Sequence, residues 1–285
     1  MSRSHVARAA PRKKRRRRFR LKNLWPSARL RRRFYKAWRA APLWVQVIAG
    51  VVVVVTVWFA MNGVYQVMRK PAELFFPVSG ALMKTPTETW RKYAPIFRKH
   101  STPVIAPEFL AALAQVEGSG NPVATSYWSW YASWNPFELY RPASSAVGMY
   151  QITDGTFVEA KRYCIHDHVV VEDGPWHEWR SCWLNSLYTR VVPTHAVEMT
   201  AALLDRRVAS VLERYRIVNA TPQQKQDLAA VIHLCGPGVG EPFAKRGFRL
   251  TPGQRCGDHS VQRYLAQVNG MKQAFVRLEA ARREE

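Results

Sequence analysis

The sequence Ala114-Gln-Val-Glu117-Gly-Ser-Gly-Asn-Pro122 ends a predicted helix in a single carboxyl group followed by glycines and a proline. The helix begins near Pro107, and its apolar residues recur at helical spacing. Apolar surroundings, the negative end of the helix dipole and the lack of a nearby basic residue all favour the protonated form of Glu117. A carboxyl group that keeps its proton can act as a general acid, although a lone glutamate at a helix end is more often simply solvated.

Two later stretches accompany this acid. The first, Ser144-Ser-Ala-Val-Gly-Met-Tyr-Gln151, puts a glycine, an apolar pair and a glutamine before a second predicted helix. The second, Leu228-Ala-Ala-Val-Ile-His-Leu-Cys-Gly-Pro-Gly238, runs an apolar helix into a Gly-Pro-Gly stop. In this order the three stretches resemble the transglycosylase SLT family, the lytic transglycosylases that cut peptidoglycan on a lysozyme-like helical fold.

The resemblance implies a mainly α, lysozyme-like domain that uses no cofactor. Glu117 would first protonate the glycosidic oxygen between N-acetylmuramic acid and N-acetylglucosamine. It would then take the proton from the C6 hydroxyl of the muramic acid, which attacks to form a 1,6-anhydro sugar. Two alternatives remain open: a second carboxylate from Asp154, Glu138 or Glu159 would give a hydrolytic, goose-type muramidase, and a chain without catalysis would be a peptidoglycan-binding or scaffold module.

The resemblance also assigns substrate-binding positions around the acid. They are Ser145, Met149, Tyr150, Gln151, His233 and Tyr264. The serine is ambiguous, because Ser144 and Ser126 compete with Ser145 for the same family position. His233 replaces the tyrosine that the family has beside the acid, and Leu234 replaces an asparagine.

Gly118 also departs from the family pattern, which has serine directly after the acid. A glycine there is consistent with a helix end that needs a positive φ, and the loss of a side-chain contact is the alternative. Two further helices are predicted downstream: a long amphipathic helix that opens at Pro193, and one that begins at the capping box Thr221-Pro-Gln-Gln224. No series of segments in this region shows the alternation of apolar and polar residues that is typical of β-strands. The sequence therefore predicts a mainly α fold.

Positive charge is concentrated at the N-terminus. The 285 residues carry a formal charge of +23, and residues 1–40 hold 17 Lys and Arg with no Asp or Glu. Most of them lie in the clusters 12–18 and 31–33, ahead of the apolar stretch 43–67, which is long enough to cross a bilayer. This pattern predicts an uncleaved signal anchor in the cytoplasmic membrane, with a cytoplasmic N-terminus and a periplasmic C-terminal domain. A cleaved signal peptide is the alternative, but the apolar region and its leader are too long.

The predicted organisation follows from this pattern. It comprises a basic tail (1–40), a transmembrane anchor (41–68), a juxtamembrane stalk (69–102) and the SLT-like domain (103–285) with an aromatic insertion (123–143). The expected partners are peptidoglycan strands, the inner membrane and, for the basic tail, anionic lipid headgroups rather than nucleic acid. A partner within a cell-envelope machinery is left open.

In the stalk, a short helix from Thr87 should end at Pro95.

The insertion holds seven aromatic side chains between Tyr127 and Tyr140. Exposed rings would stack on sugars and form a glycan platform, whereas buried rings would fill a satellite core under a long loop. Both interpretations remain open at this stage, and the rings can divide between them.

All four cysteines follow the apolar stretch, as expected of an exported domain. Of the three possible connectivities, pairing between sequence neighbours, Cys164 with Cys182 and Cys235 with Cys256, is favoured. The first pair and the histidines between its members, at positions 166, 168 and 177, match no standard zinc-site spacing, so no metal site is expected.

Overall fold

The computed structural model describes residues 28–175, 177–178 and 181–284, so the basic cluster 12–18 lies outside the described residues. The described chain is mainly helical, which confirms the predicted fold class. Its α-helices are α1 (Ala28–Ala40), α2 (Leu43–Arg69), α3 (Phe76–Ser79), α4 (Pro86–Lys99), α5 (Pro107–Gly118), α6 (Asp154–Ala160), α7 (Pro193–Arg214), α8 (Pro222–Cys235), α9 (Pro237–Lys245) and α10 (Val261–Glu284).

The described strands form three small antiparallel hairpins. Strand β1 (Trp128–Trp130) pairs with β2 (Tyr140–Pro142), β3 (Tyr163–His166) with β4 (Val169–Glu172), and β5 (Arg255–Cys256) with β6 (His259–Ser260). Short 3₁₀ helices occupy Pro71–Phe75, Gly80–Leu82, Pro136–Glu138 and Trp183–Leu187. In the first hairpin Trp130 lies opposite Tyr140.

Contacts divide the chain into two units, Met1–Ala60 and Met61–Glu285. The first contains α1, which carries the arginines at 31–33, and most of the apolar helix α2. Helix α2 has a mean hydropathy of 2.3 over its most apolar window and is long enough to span a membrane; among the described helices it alone meets that description. Its 27 residues extend about 40 Å at 1.5 Å per residue.

The core of the second unit is built around α5. This helix packs against α10 and α4, and α7 packs against α8 and α4. Phe109, Leu110 and Leu113 of α5 are fully buried, with at most 1% of each residue exposed. A helix apolar on most of its surface is stable only when other helices surround it, which is the position that α5 occupies.

Helix α4 corrects the prediction that Pro95 ends the stalk helix. The helix starts one residue earlier than expected, at a capping box formed by Thr85 and Glu88, and continues through Pro95 to Lys99. Proline leaves the carbonyl of Arg91 without its helical partner, but both residues are exposed, so water can satisfy that carbonyl. Trp90 and Phe97 on the opposite face are buried, and their packing holds the helix together.

Both predicted disulfides are present. Cys164 in β3 is joined to Cys182, and Cys235 at the end of α8 is joined to Cys256 in β5. The predicted capping box at Thr221 also opens α8, and Pro193 opens the long α7. The second disulfide ties the end of α8 to the hairpin that leads into α10, and these two helices carry side chains of the site described next.

Candidate active site

Glu117 lies in the last turn of α5, where the apolar helix comes to the surface. Its side chain is 17% exposed, so the carboxyl group is largely enclosed yet reachable. The helix ends directly afterwards, because Ser119 adopts a left-handed conformation with φ of 49° and the N–H of Gly120 bonds back to the carbonyl of Ala114. The chain therefore turns away at once and leaves the acid at the helix end.

Gly118 has a different role from the one predicted. The positive φ belongs to Ser119, and what requires glycine at 118 is the close approach of the next motif. A Cβ atom on Gly118 would lie 2.8 Å from the Cα of Met149. Since backbone cannot yield as a flexible side chain can, any larger residue at 118 would push the two segments apart.

Tyr264 in α10 makes the shortest contact with the acid. Its hydroxyl donates a hydrogen bond of 2.5 Å to Oε1 of Glu117. Burial raises the pKa of Tyr264 well above its usual value, and the charge of the adjacent carboxylate raises it further. The phenol therefore remains a donor, and it fixes the orientation of the carboxyl group.

His233 in α8 approaches the same oxygen. Its Nε2 atom lies 3.6 Å from Oε1 of Glu117, and its side chain is 12% exposed. At this distance the interaction is electrostatic rather than a full hydrogen bond. Both contacts of Glu117 within the described residues thus engage Oε1.

Gly148 and Gln151 shape the loop of the second motif. Gly148 has a φ of 83°, and a Cβ atom there would collide with the carbonyl oxygen of Arg190. Gln151 also adopts a positive φ, 46°, and its side-chain amide donates to the carbonyls of Ala124 and Gly148. The glutamine therefore braces its own loop.

Gln151 and His233 line one small cavity, so the second and third motifs meet. The cavity has a volume of about 60 Å³, enough for a few water molecules. The hydroxyl of Thr200, which also lines it, is buried without a hydrogen-bond partner among the described residues. His233 therefore both lines this cavity and contacts Glu117.

Met149 and Tyr150 are fully buried in the core. Burial raises the pKa of Tyr150. The backbone of Met149 supports the end of α5 through its approach to Gly118. The contact of Met149 and Tyr150 with a sugar stays a prediction.

Ser145 makes its contacts at the start of α6. Its hydroxyl accepts the N–H of Asp154, and its carbonyl accepts a hydrogen bond from Arg190. The competing serines, Ser126 and Ser144, are hydrogen-bonded to each other through side chain and backbone. None of these bonds involves Glu117, so the role of Ser145 toward substrate remains a prediction.

Each candidate second acid is held by an arginine. The ion pairs are Asp154 with Arg190 at 2.8 Å, Glu138 with Arg69 at 2.7 Å, and Glu159 with Arg207 at 2.6 Å. Asp154 opens α6 and is 70% exposed, as expected of an acid at a helix N-terminus. These carboxylates are engaged in pairs, whereas the Glu117 carboxyl faces a phenol and an imidazole.

Arg190 is a structural residue that the motifs did not indicate. Its guanidinium donates to the carbonyls of Ser145 and Ile152 and pairs with Asp154. It thereby fastens the second motif to the segment that precedes α7. Nothing in the local sequence marks it, because its partners lie 36 to 45 residues away.

Some rings of the aromatic insertion are packed and others are exposed, so both predicted arrangements occur. Three of the rings are packed: Trp128 contacts Phe76 and Tyr140, and Phe137 contacts Tyr65 near the C-terminal end of α2. The indole N–H of Trp128 also donates to the carboxylate of Glu73. Tyr127, Trp130 and Trp134 remain exposed.

Part of the chain matches the model of a known protein family. Residues 94–221 match the family model described as "Transglycosylase SLT domain". The matched segment includes Glu117 and Gln151, whereas His233 and Tyr264 lie beyond its end. No curated protein matches the chain.

Proposed function

We propose that this chain is a membrane-anchored lytic transglycosylase, because residues 94–221 match the transglycosylase SLT domain, a peptidoglycan-acting type with a lysozyme-like helical fold. It would cleave the β-1,4 bond between N-acetylmuramic acid and N-acetylglucosamine and leave a 1,6-anhydro end. Glu117 would be its single general acid and base. The observation that carries the proposal is the pair of contacts that hold Oε1 of Glu117, from Tyr264 at 2.5 Å and His233 at 3.6 Å.

These contacts suit a carboxyl group that transfers protons. With Oε1 held by Tyr264, the other oxygen is left to face the substrate. Protonated Glu117 gives its proton to the glycosidic oxygen as the bond to the muramic C1 breaks. The resulting carboxylate then accepts the C6 hydroxyl proton as that oxygen attacks C1, so the acid is regenerated and no water is consumed.

The pairing of the other acids favours this route over hydrolysis. A two-carboxylate glycosidase needs a second carboxylate free to act as nucleophile or to activate water. Asp154, Glu138 and Glu159 are each engaged by an arginine at 2.6–2.8 Å. An intramolecular nucleophile removes the need for a second acid.

His233 is the main departure from the family, and we assign it a supporting role. Its Nε2 atom lies on the same side of the carboxyl group as the Tyr264 hydroxyl. A neutral imidazole with its proton on Nε2 points a donor toward Oε1, as the family tyrosine would. Gln151, Met149, Tyr150 and Ser145 would then serve as wall and base of the glycan cleft.

We further propose that α2 anchors the enzyme with its N-terminus in the cytoplasm and its catalytic domain in the periplasm. The arginines of residues 1–40 precede α2, which favours that orientation and a contact of the tail with anionic lipids. The two disulfides fit an oxidising compartment.

Product analysis tests the enzymatic proposal. The full chain in detergent would be incubated with purified sacculi and the soluble products analysed by mass spectrometry. Anhydro-muropeptides are expected from the wild type and from Glu213→Gln, an exposed control glutamate, but not from Glu117→Gln. Products with reducing ends would identify a muramidase, binding without release would identify a scaffold, and full turnover by Glu117→Gln would refute the assignment of the acid.

A further inference from the structure

The aromatic insertion is fastened to the outer end of α2 by hydrogen bonds from buried amides. The side chain of Asn62 donates to the carbonyl of Tyr140 at 2.7 Å, and that of Gln66 donates to the carbonyl of Phe137 at 2.6 Å. Both side chains are almost fully buried. Arg69 adds an ion pair with Glu138. Residues 127–144, which are most of the insertion and the serine after it, therefore form a collar against the last two turns of the helix.

The position of this collar along the chain is set by the apolar stretch. Leu43 to Met61 is 19 residues, or about 28 Å of helix, which matches a hydrocarbon core of about 30 Å. Asn62 is the next residue. Gln66 and Arg69 lie about 7 and 12 Å beyond Met61 along the helix axis. The headgroup layer adds roughly 5–8 Å on each side of the hydrocarbon. Gln66 would therefore lie in this layer and Arg69 just outside it.

A polar cavity of about 210 Å³ lies between the helix end and the collar. Its basic lining residues are Arg69, Lys70, Arg141 and Arg190. Three carboxylates pair with them, from Glu138, Glu73 and Asp154, and leave one positive charge in excess. A cavity with one uncompensated positive charge suits a monovalent anion.

The guanidinium groups of Arg69 and Arg141 are the donors that this cavity offers to a ligand, because Arg190 is engaged by Ser145, Ile152 and Asp154. Lys70 uses its ammonium on the carbonyls of Ser144 and Ala146 and on Glu73. Arg69 and Arg141 each have five N–H donors in a planar fork, which suits the oxygens of a phosphate. Arg141 is 40% exposed, and its closest acid, Glu138, is 3.7 Å away, so it is the least engaged of the four bases.

Two exposed tryptophans, Trp130 and Trp134, belong to the hairpin whose second strand is bonded to Asn62. The ring of Trp130 packs on that of Tyr140 at 4.9 Å, and the backbone of Tyr140 is bonded to Asn62. Trp130 is 64% exposed, and Trp134 in the same hairpin loop is completely exposed. Tryptophan favours the membrane interface, because its ring is apolar and its N–H can bond to headgroups.

We propose that this collar is a phospholipid site, in which the cavity takes the phosphodiester of an anionic headgroup and Trp130 and Trp134 enter the interface. The inference rests on the proposed anchoring by α2. It commits to lipid of the outer leaflet, since Gln66 and Arg69, which line the cavity, fall at the outer edge of the headgroup layer. A soluble phosphate or an anionic group of the glycan substrate would share the chemistry but would not need the tryptophans.

The test uses the full chain in nanodiscs of phosphatidylcholine with increasing phosphatidylglycerol, and native mass spectrometry counts the lipids retained. We expect wild-type protein to retain phosphatidylglycerol selectively, and Arg141→Gln to need about tenfold more of it. Arg141→Lys should recover part of the selectivity, because it keeps the charge. Arg249→Gln, an exposed arginine outside the collar, should behave as wild type.

A second measurement addresses the tryptophans. Lipids brominated near the headgroup quench the fluorescence of tryptophans that lie in the interface. In nanodiscs of such lipids, the fraction of tryptophan fluorescence that is quenched should be smaller in the double variant Trp130→Phe/Trp134→Phe than in wild type. It should not fall in Trp183→Phe, an exposed tryptophan outside the collar.

Several outcomes would overturn the proposal. Equal retention by wild type and Arg141→Gln would do so, as would displacement of the lipid by millimolar inorganic phosphate or by soluble muropeptide. Unchanged quenching in the double variant would remove the tryptophans from the interface. A chain that does not enter the bilayer at all would refute the anchoring as well, whereas a chain that enters without lipid selectivity refutes this inference alone.

Discussion

The hydroxyl of Tyr264 and Oε1 of Glu117 are 2.5 Å apart, although the two residues are separated by 147 positions in the chain. The bond joins the last turn of α5 to the first turn of α10. It is one of two contacts that orient the acid within the described residues, and its loss should be felt in catalysis more than in folding.

Tyr264→Phe should lower the rate of anhydro-muropeptide release about 10- to 100-fold, because a hydrogen bond to a charged group contributes about 1.5–3 kcal/mol. The ring itself would still fill its site. Tyr215→Phe is the matched control, since that hydroxyl donates to Glu241 at 2.7 Å, with no contact to Glu117. Equal rates for the two variants would mean that Tyr264 does not orient the acid.

His233→Tyr should keep activity within about threefold of wild type, because it restores the family residue and the adjoining cavity gives the larger ring room. His233→Ala should lose about tenfold, the scale of one electrostatic contact at a partly buried site. Rates on sacculi would be compared at matched protein stability. An alanine variant as active as wild type would exclude His233 from the site.

Asp154→Asn, Glu138→Gln and Glu159→Gln should each retain most of the activity, since the proposed mechanism uses one carboxylate. Their ion pairs are partly solvent-exposed, so their loss should cost at most about 1 kcal/mol of folding free energy. Activity assays on the three variants would measure this. A loss of several hundredfold in any one of them would identify a second catalytic acid and revive the hydrolytic mechanism.

Gly118→Ser should destabilise the fold by about 1–3 kcal/mol, because its Cβ would lie 2.8 Å from the backbone of Met149. Thermal unfolding followed by circular dichroism would show a midpoint lower by several degrees. Gly155→Ser is the control, since a Cβ there meets nothing within 4 Å. An unchanged midpoint for Gly118→Ser would show that the two segments can separate at little cost.

Stability should also fall in mild acid because of His100. Burial lowers the pKa of this histidine, against an opposing pull from Glu198, so the folded state keeps it neutral. Unfolded chains bind a proton as the pH falls through about 6.5 and folded chains do not, so folding free energy is lost below that pH. His100→Gln should flatten the melting-temperature profile between about pH 7.5 and 5.5, while His259→Gln, an exposed control, should leave it unchanged. Identical profiles would contradict this assignment.

The sequence predicted local features of this fold well, because they depend on neighbouring residues. The end of α5 at Gly118, the capping box at Thr221 and both disulfides follow from short patterns. Pro95 was misjudged because the burial of Trp90 and Phe97 outweighs one missing hydrogen bond. Gly118 was explained by the wrong cause, since its neighbour Met149 is 31 residues away and the approach of two backbones leaves no local signature.

The site was predicted only in part, because its contacts join residues that are far apart in the sequence. The family resemblance indicated Glu117, His233 and Tyr264, and the structure brings these three together. Whether Ser145 contacts substrate could not be read from spacing, because its hydroxyl serves the start of α6. The arginines that engage the other acids come from distant elements, so sequence alone left those acids as rivals to Glu117.

The hydrogen bonds from Asn62 and Gln66 join the C-terminal end of α2 directly to the aromatic insertion. If α2 is the membrane anchor that we propose, no flexible tether would separate the membrane from the catalytic domain. The enzyme would then cut only glycan strands close to the membrane and would leave strands further out in the wall intact.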